Sequence, residues 1–363
     1  MTQKYIALLG RRDEPTDAVE EYCEYLGHAL AARKCELTIE RVKWAERGWK
    51  TALEELEKQA TGWAGRYVLV QYTALAWSMR GFPLRFLRVL KILRTAGVRT
   101  GVVYHDVFPF GGDRLIDKAR RQSQLRAMRS SLAHADFGIF TVALEKISWA
   151  QEDILKATFI PVGANLPDAS RALGHKKNAV DGKLSIAVYG VTGGSAGEKE
   201  IASIAEAVAF CAGKMDSLRL VVMGRNSDSA EERLRKKLKD DRVEIAVKGI
   251  LPAAKVVETL LDCDILLFVR GPISTRRGSA IAGIACGLPV IAFAGPETAP
   301  PITDAGVELY DPQKPGDLAG TLLRVLKSGG YRASLAERSR EAQEKYFSWK
   351  AIAARYAEVL RSA

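Results

Sequence analysis

Short apolar runs alternate along the chain with segments whose apolar residues recur at helical spacing. The run at 5–9 is followed by Val19, Tyr22, Cys23, Leu26 and Leu30, which share one helical face. Asp17 stands where it can cap that helix, and Glu20 three residues on completes a capping-box-like pair. The order then repeats: strand 37–42, helix 51–59, strand 67–72, helix 84–94, strand 101–104, a longer helix over 113–134, strand 137–142 and strand 157–162. A polar, irregular stretch follows, and beyond it strands at 184–189, 218–223, 243–247, 265–269 and 289–293 alternate with helical segments. Residues 335–361 read as helix broken at Ser348 and Trp349.

Alternation of this kind predicts an α/β chain of parallel strands joined by crossover helices. The polar stretch divides it into a first Rossmann-like domain over 1–167, a linker over 168–183 and a second Rossmann-like domain over 184–345. A last helix, 346–363, is placed to pack back on the first domain. Open parallel sheets bind ligands beyond the carboxyl ends of their strands, so two facing sheets would enclose a cleft.

Composition narrows the picture without changing it. At 363 residues, 47% hydrophobic and 27% charged, the chain suits two globular domains. Its apolar runs fall far short of the roughly 20 residues that cross a bilayer, and the first ten residues lack the layout of a secretion signal. Five cysteines without a CxxC pair suit reduced thiols and a cytoplasmic location, and four histidines without zinc-ligand spacing predict no metal. The net charge of +11 is concentrated between Arg80 and Arg129. Such a face attracts anions, which makes peripheral contact with an anionic membrane an expectation, whereas no nucleic-acid recognition motif accompanies it.

The loop after 265–269 reads Arg270-Gly-Pro-Ile-Ser-Thr-Arg-Arg-Gly-Ser279 and leads into a helix. Ser274, Thr275, Arg276, Arg277, Gly278 and Ser279 there combine donors with a helix start, the makings of a diphosphate cradle; a basic turn in solvent is the competing reading. Gly190, Gly193 and Gly194 form a second glycine-rich turn with Lys199 beyond it, although Ser195 and Glu198 also fit an ordinary capping box. Arg225 lies in the loop after the following strand. In the first domain, His105 and Asp106 follow a strand and are candidates to orient a hydroxyl and accept its proton. Arg11, Arg12 and Asp13 follow the first strand, and Trp77 offers a ring on which a sugar or apolar acceptor could stack.

Three segments, Val103-Tyr-His-Asp106, Phe159-Ile-Pro-Val-Gly-Ala-Asn165 and Ala285-Cys-Gly-Leu-Pro-Val290, resemble landmarks of the retaining, two-Rossmann-domain (GT-B fold) glycosyltransferases. The resemblance implies two facing domains. The second would hold a nucleotide diphosphate sugar without a metal or further cofactor, and the first a glycan, lipid-linked or small-molecule acceptor. It places His105 at that group's cleft histidine and the loop 190–199 at its phosphate loop. The chain departs from the pattern where the group carries paired glutamates, for Ser274 and Ala282 stand there. That departure keeps open a second reading, a protein that binds sugar nucleotides or phosphoglycans without transferring them.

Overall fold

The computed structural model describes residues 3–169 and 183–362. Most of the expected linker, residues 170–182, lies outside them. The chain divides into two compact units, Met1–Val162 with Trp349–Ala363, and Gly163–Ser348.

In the first unit, β1 (Gln3–Leu9), β2 (Cys35–Arg41), β3 (Tyr67–Tyr72), β4 (Arg99–Tyr104), β5 (Phe137–Phe140) and β6 (Ala157–Phe159) form one sheet. Their order is β2-β1-β3-β4-β5-β6, with every pairing parallel. The crossovers are α1 (Ala18–Ala31), α2 (Trp44–Arg47), α3 (Trp49–Ala60), α4 (Phe86–Thr95) and α5 (Leu115–His134). Asp17 caps α1 by accepting the N–H groups of Val19 and Glu20. The central strands are apolar on both faces because helices cover both. Tyr72, Tyr104 and Phe140 are fully buried, Tyr104 stacking on Phe140 at 4.6 Å.

The second unit repeats the plan with β7 (Leu184–Tyr189), β8 (Leu218–Met223), β9 (Val243–Val247), β10 (Ile265–Leu267), β11 (Val290–Phe293) and β12 (Val307–Tyr310). The order is β12-β11-β10-β7-β8-β9, again all parallel. Its helices are α6 (Gly194–Ala212), α7 (Ser227–Lys237), α8 (Ala253–Leu261), α9 (Gly278–Ala285), α10 (Asp317–Lys327) and α11 (Gly329–Ala342). The final helix, α12 (Trp349–Ser362), belongs to the first unit. It is held on α1 by the Tyr22–Tyr356 hydroxyl pair at 2.8 Å and by Trp349 stacked on Tyr25.

Each sheet reverses its winding once. In the first the chain steps outward from β1 to β2 and returns past β1 to β3; in the second it runs β7, β8, β9 and returns past β7 to β10. The loops that leave β1 and β3, and those that leave β7 and β10, therefore border crevices at the strands' carboxyl ends.

Candidate functional site

The second unit's crevice is built from Gly190, which leaves β7, and Arg270, which follows β10. Gly190 has a positive φ of 82°, and a Cβ on it would stand 2.5 Å from Arg270 Nη1. Only glycine lets the guanidinium lie against the main chain there. The loop is fixed from the β8 side: the Gly190 N–H donates to the Met223 carbonyl at 2.7 Å and the Val191 N–H to the Arg225 carbonyl at 3.0 Å. Asn226 Nδ2 donates back to the Val191 carbonyl at 2.8 Å. Gly197 closes the turn, since a Cβ on it would stand 1.9 Å from the Thr192 carbonyl oxygen.

The expected capping box at Ser195 and Glu198 does not form. Helix α6 starts with Gly193 as N-cap and no side chain bonds to its first N–H groups, while Glu198 pairs with Arg233. Glu200 takes the Thr192 N–H instead, at 2.8 Å. A 19-residue helix thus begins with donors and partial positive charge open to solvent at exposed Gly193, Gly194 and Ser195. Those residues belong to the loop against which Arg270 lies. Lys199 is exposed one turn on.

Arg270 is partly buried and makes no hydrogen bond or ion pair with the described residues. Its pKa is lowered by burial, with Glu200 supporting and Arg225 opposing its charge. A guanidinium in that setting retains donors that a phosphate oxygen fits well.

The loop 274–279 is organised differently from the expectation. Ser274 and Thr275 are buried, and Ser274 Oγ donates to Glu297 Oε2 at 3.0 Å. Arg276 grips the same carboxylate with both Nε and Nη2, each at 2.6 Å. Burial raises the Glu297 pKa, but the Arg276 and Ser274 bonds outweigh it and leave the carboxyl below its ordinary value. Two of the six expected phosphate ligands, Ser274 and Arg276, are therefore spent on an internal anchor, because Glu297 approaches from the loop after β11 and pairs with Arg276, while Thr275 is buried. Arg277, Gly278 and Ser279 remain partly exposed at the start of α9. Ala282 is buried in that helix.

In the first unit, a pocket of about 250 Å³ opens at the crevice between β1 and β3, lined among others by Arg11, Asp13, Asp17, Gln71, Thr73 and Asp106. The Arg11 N–H donates to the Ala76 carbonyl at 2.8 Å, and Arg41 ties the Gly10 carbonyl to Asp17. Arg12 leans away onto Glu20 at 3.4 Å. Trp77 must be moved from the ligand side to the core: it is 1% exposed, packs on Phe86 and donates its indole N–H to the Gln71 carbonyl, so it presents no face for stacking.

Asp106 Oδ2 accepts the Ala74 N–H at 3.1 Å and so shapes the pocket wall. His105 Nε2 lies 2.8 Å from Gln71 Oε1. Gln71 Nε2 donates to the Leu69 carbonyl, so its oxygen must accept, and a neutral His105 carries its proton on Nε2 and its lone pair on Nδ1. The rings of His105 and Tyr22 also meet edge to face, 5.1 Å between centroids.

Sequence reasoning missed three residues: Arg270, Glu297 and Gln71. The position of Arg270 directly after an apolar run, and the polar Gln71 inside the apolar run 67–72, were the available signals. Nothing local marks Glu297, which depends on a contact 21 residues away.

No family model matches the chain, and no curated protein matches it in sequence. Solved structures do resemble it. Anabaena Alr3699/HepE in complex with UDP and glucose matches with a TM-score of 0.66 at 14% identity, over 99% of this chain and 100% of that one. Sucrose-phosphate synthase from Thermosynechococcus elongatus matches at 0.67 and 19% identity, over 99% and 98%. A glycosyltransferase from Rickettsia africae matches at 0.68 and 12% identity, over the whole of both chains. With two six-stranded parallel sheets and these likenesses over its full length, the chain has the two-Rossmann-domain, GT-B fold of these glycosyltransferases.

Proposed function

We propose that the chain transfers a sugar from a nucleotide diphosphate sugar to a hydroxyl acceptor, in the synthesis of a glycan or polysaccharide. The observation that carries this reading is the Arg270 guanidinium lying against Gly190, beside the uncapped start of α6. Nucleotide binding by HepE, which shares the fold and whose structure contains UDP and glucose, supports it.

In this reading the donor diphosphate lies on the loop 190–194. The bond between the anomeric carbon and the phosphate oxygen breaks, and its electron pair leaves with the diphosphate. Arg270 and the first N–H groups of α6 stabilise the charge that develops there, a preorganised field worth more in a partly dry site than in water. Arg225, Lys199 and Arg277 strengthen the positive field around it. The pocket of the first unit is proposed as an acceptor-binding surface, and an acceptor hydroxyl attacks the anomeric carbon. Asp106 on the pocket wall takes or holds its proton, and His105, its tautomer set by Gln71, orients a sugar hydroxyl. The donor is a substrate and no further cofactor or metal enters this scheme; retention of configuration rests on the resemblance of the motifs.

The absence of a carboxylate at Ser274 and Ala282 favours a second reading, binding of sugar nucleotides without transfer. One experiment separates the two: calorimetric binding of a panel of nucleotide sugars, paired with an assay for released nucleoside diphosphate in the presence of hydroxyl acceptors. Binding with release supports transfer. Binding with no release from any donor supports the binding protein, and no binding removes both.

A further inference from the structure

We infer that the first unit carries a docking surface for an anionic lipid bilayer, formed by the loops after β3 and β4 and the first turns of α5. This inference is independent of the sugar-transfer reading. Leu75, Met79, Leu84, Phe110, Leu115 and Ile116 are all exposed, Leu115 at 84%. The other exposed large apolar residues of the described chain are scattered over both units, whereas these six fall within two loops and one helix start. Single exposed leucines are ordinary, but six on adjoining segments call for a partner.

The segments adjoin because one arginine and one glutamine lock them together. Arg120 Nε donates to the Arg80 carbonyl at 2.8 Å, Nη1 donates to Asp117, and its guanidinium lies over the rings of Phe110 and Phe82. Gln124 accepts the Phe110 N–H at 2.6 Å and donates to the Gly81 carbonyl at 2.9 Å. The loops after β3 and β4 are thus bonded to α5.

Charge identifies the partner. Residues 75–126 contain eleven Lys and Arg against three Asp and no Glu. Asp117 is already paired with Arg114 and Arg120. Arg80 and Arg85 in the loop after β3, Arg88 and Lys91 on α4, and Lys118 and Arg121 on α5 are exposed. Exposed apolar side chains on segments this rich in cations suit the boundary between acyl chains and acidic headgroups, where both contribute to binding. A nucleic acid would use the cations but has no place for six apolar side chains. No helix among the described residues is long and apolar enough to cross a membrane, so the contact is with the bilayer surface. Leu75 also lines the pocket that contains Asp106, so docking brings the rim of that pocket to the headgroups.

The test is co-sedimentation of the full chain with phosphatidylcholine vesicles, with and without phosphatidylglycerol, at low and raised salt. Wild type is compared with Leu115→Ser/Ile116→Ser, Leu75→Ser/Met79→Ser and Arg85→Gln/Lys118→Gln, each checked for native circular dichroism and melting. The expected result is binding to the acidic vesicles alone, weakened by salt and lowered about tenfold or more by the apolar pairs as well as the basic pair. Absence of wild-type binding at low salt would overturn the inference. So would apolar variants that bind acidic vesicles like wild type, which would leave a general polyanion site. Single-stranded DNA bound more tightly than acidic vesicles would assign the face to nucleic acid instead.

Discussion

Replacing Arg270 by Met should weaken nucleoside diphosphate binding and leave nucleoside binding nearly unchanged. The guanidinium lies against Gly190 without a hydrogen bond to the described residues, so its donors are available to a phosphate. Hydrogen bonds to charged groups contribute about 1.5–3 kcal/mol, which corresponds to a rise in Kd of about 10- to 150-fold. At a ligand concentration near 100 times the wild-type Kd, ligand-induced stabilisation should fall from about 2.7 to about 0.3–1.4 kcal/mol. The ligand-free protein should move the other way. Burial already lowers the pKa of Arg270, a sign that its charge is held at a cost, and Met retains the apolar stem while removing that charge. Calorimetry with matched nucleoside and nucleoside diphosphate, together with thermal melts in both states, reads both effects. Unchanged diphosphate affinity in a folded Arg270→Met protein would refute the reasoning and return attention to Arg277 and Ser279.

Gly190→Ala should lower diphosphate affinity at least as far as Arg270→Met, and combining the two should add little, because the new Cβ acts by displacing the guanidinium; a double-mutant cycle by calorimetry checks this. Arg276→Ala should destabilise the protein by about 1–3 kcal/mol by leaving the Glu297 carboxylate unpaired, and Arg276→Ala/Glu297→Ala should recover part of the loss in urea melts. The folded-state pKa of Glu297 is depressed, so its contribution is fully present above its ordinary value of 4.5 and is lost as pH falls through the lower folded value; the stability gap between wild type and Glu297→Gln should close in acid. His105→Ala should reduce turnover about 100-fold or more while donor binding changes little, a split visible in kcat against donor Kd.

The periodicity of the chain made most of the architecture legible, because parallel strands buried on both faces appear as compact apolar runs such as 67–72 and 218–223. β12 escaped because Val307–Tyr310 is a short edge strand with only its end residues buried. At the candidate site, the glycines at 190, 193 and 194 were visible as a turn, but its open helix start was masked by a capping box that Ser195 and Glu198 spell and do not make. The arginine pair 276 and 277 drew attention because it sits with hydroxyl residues and a glycine between a strand end and a helix start. What decides its availability is Glu297, brought up from another loop by β11, and no local pattern encodes that approach. Trp77 shows the same limit, since an aromatic beside a strand end looks alike in sequence whether it lines a pocket or fills the core.

The central claim is that the donor diphosphate is held on the loop 190–194 by Arg270 and the start of α6, and the most direct measurement is a crystal structure of the chain soaked with a nucleoside diphosphate. Phosphate oxygens should lie within hydrogen-bond distance of the Arg270 guanidinium and of main-chain N–H groups in 192–195. Phosphates bound elsewhere, with Arg270 still lying against Gly190 and the start of α6 empty, would contradict it.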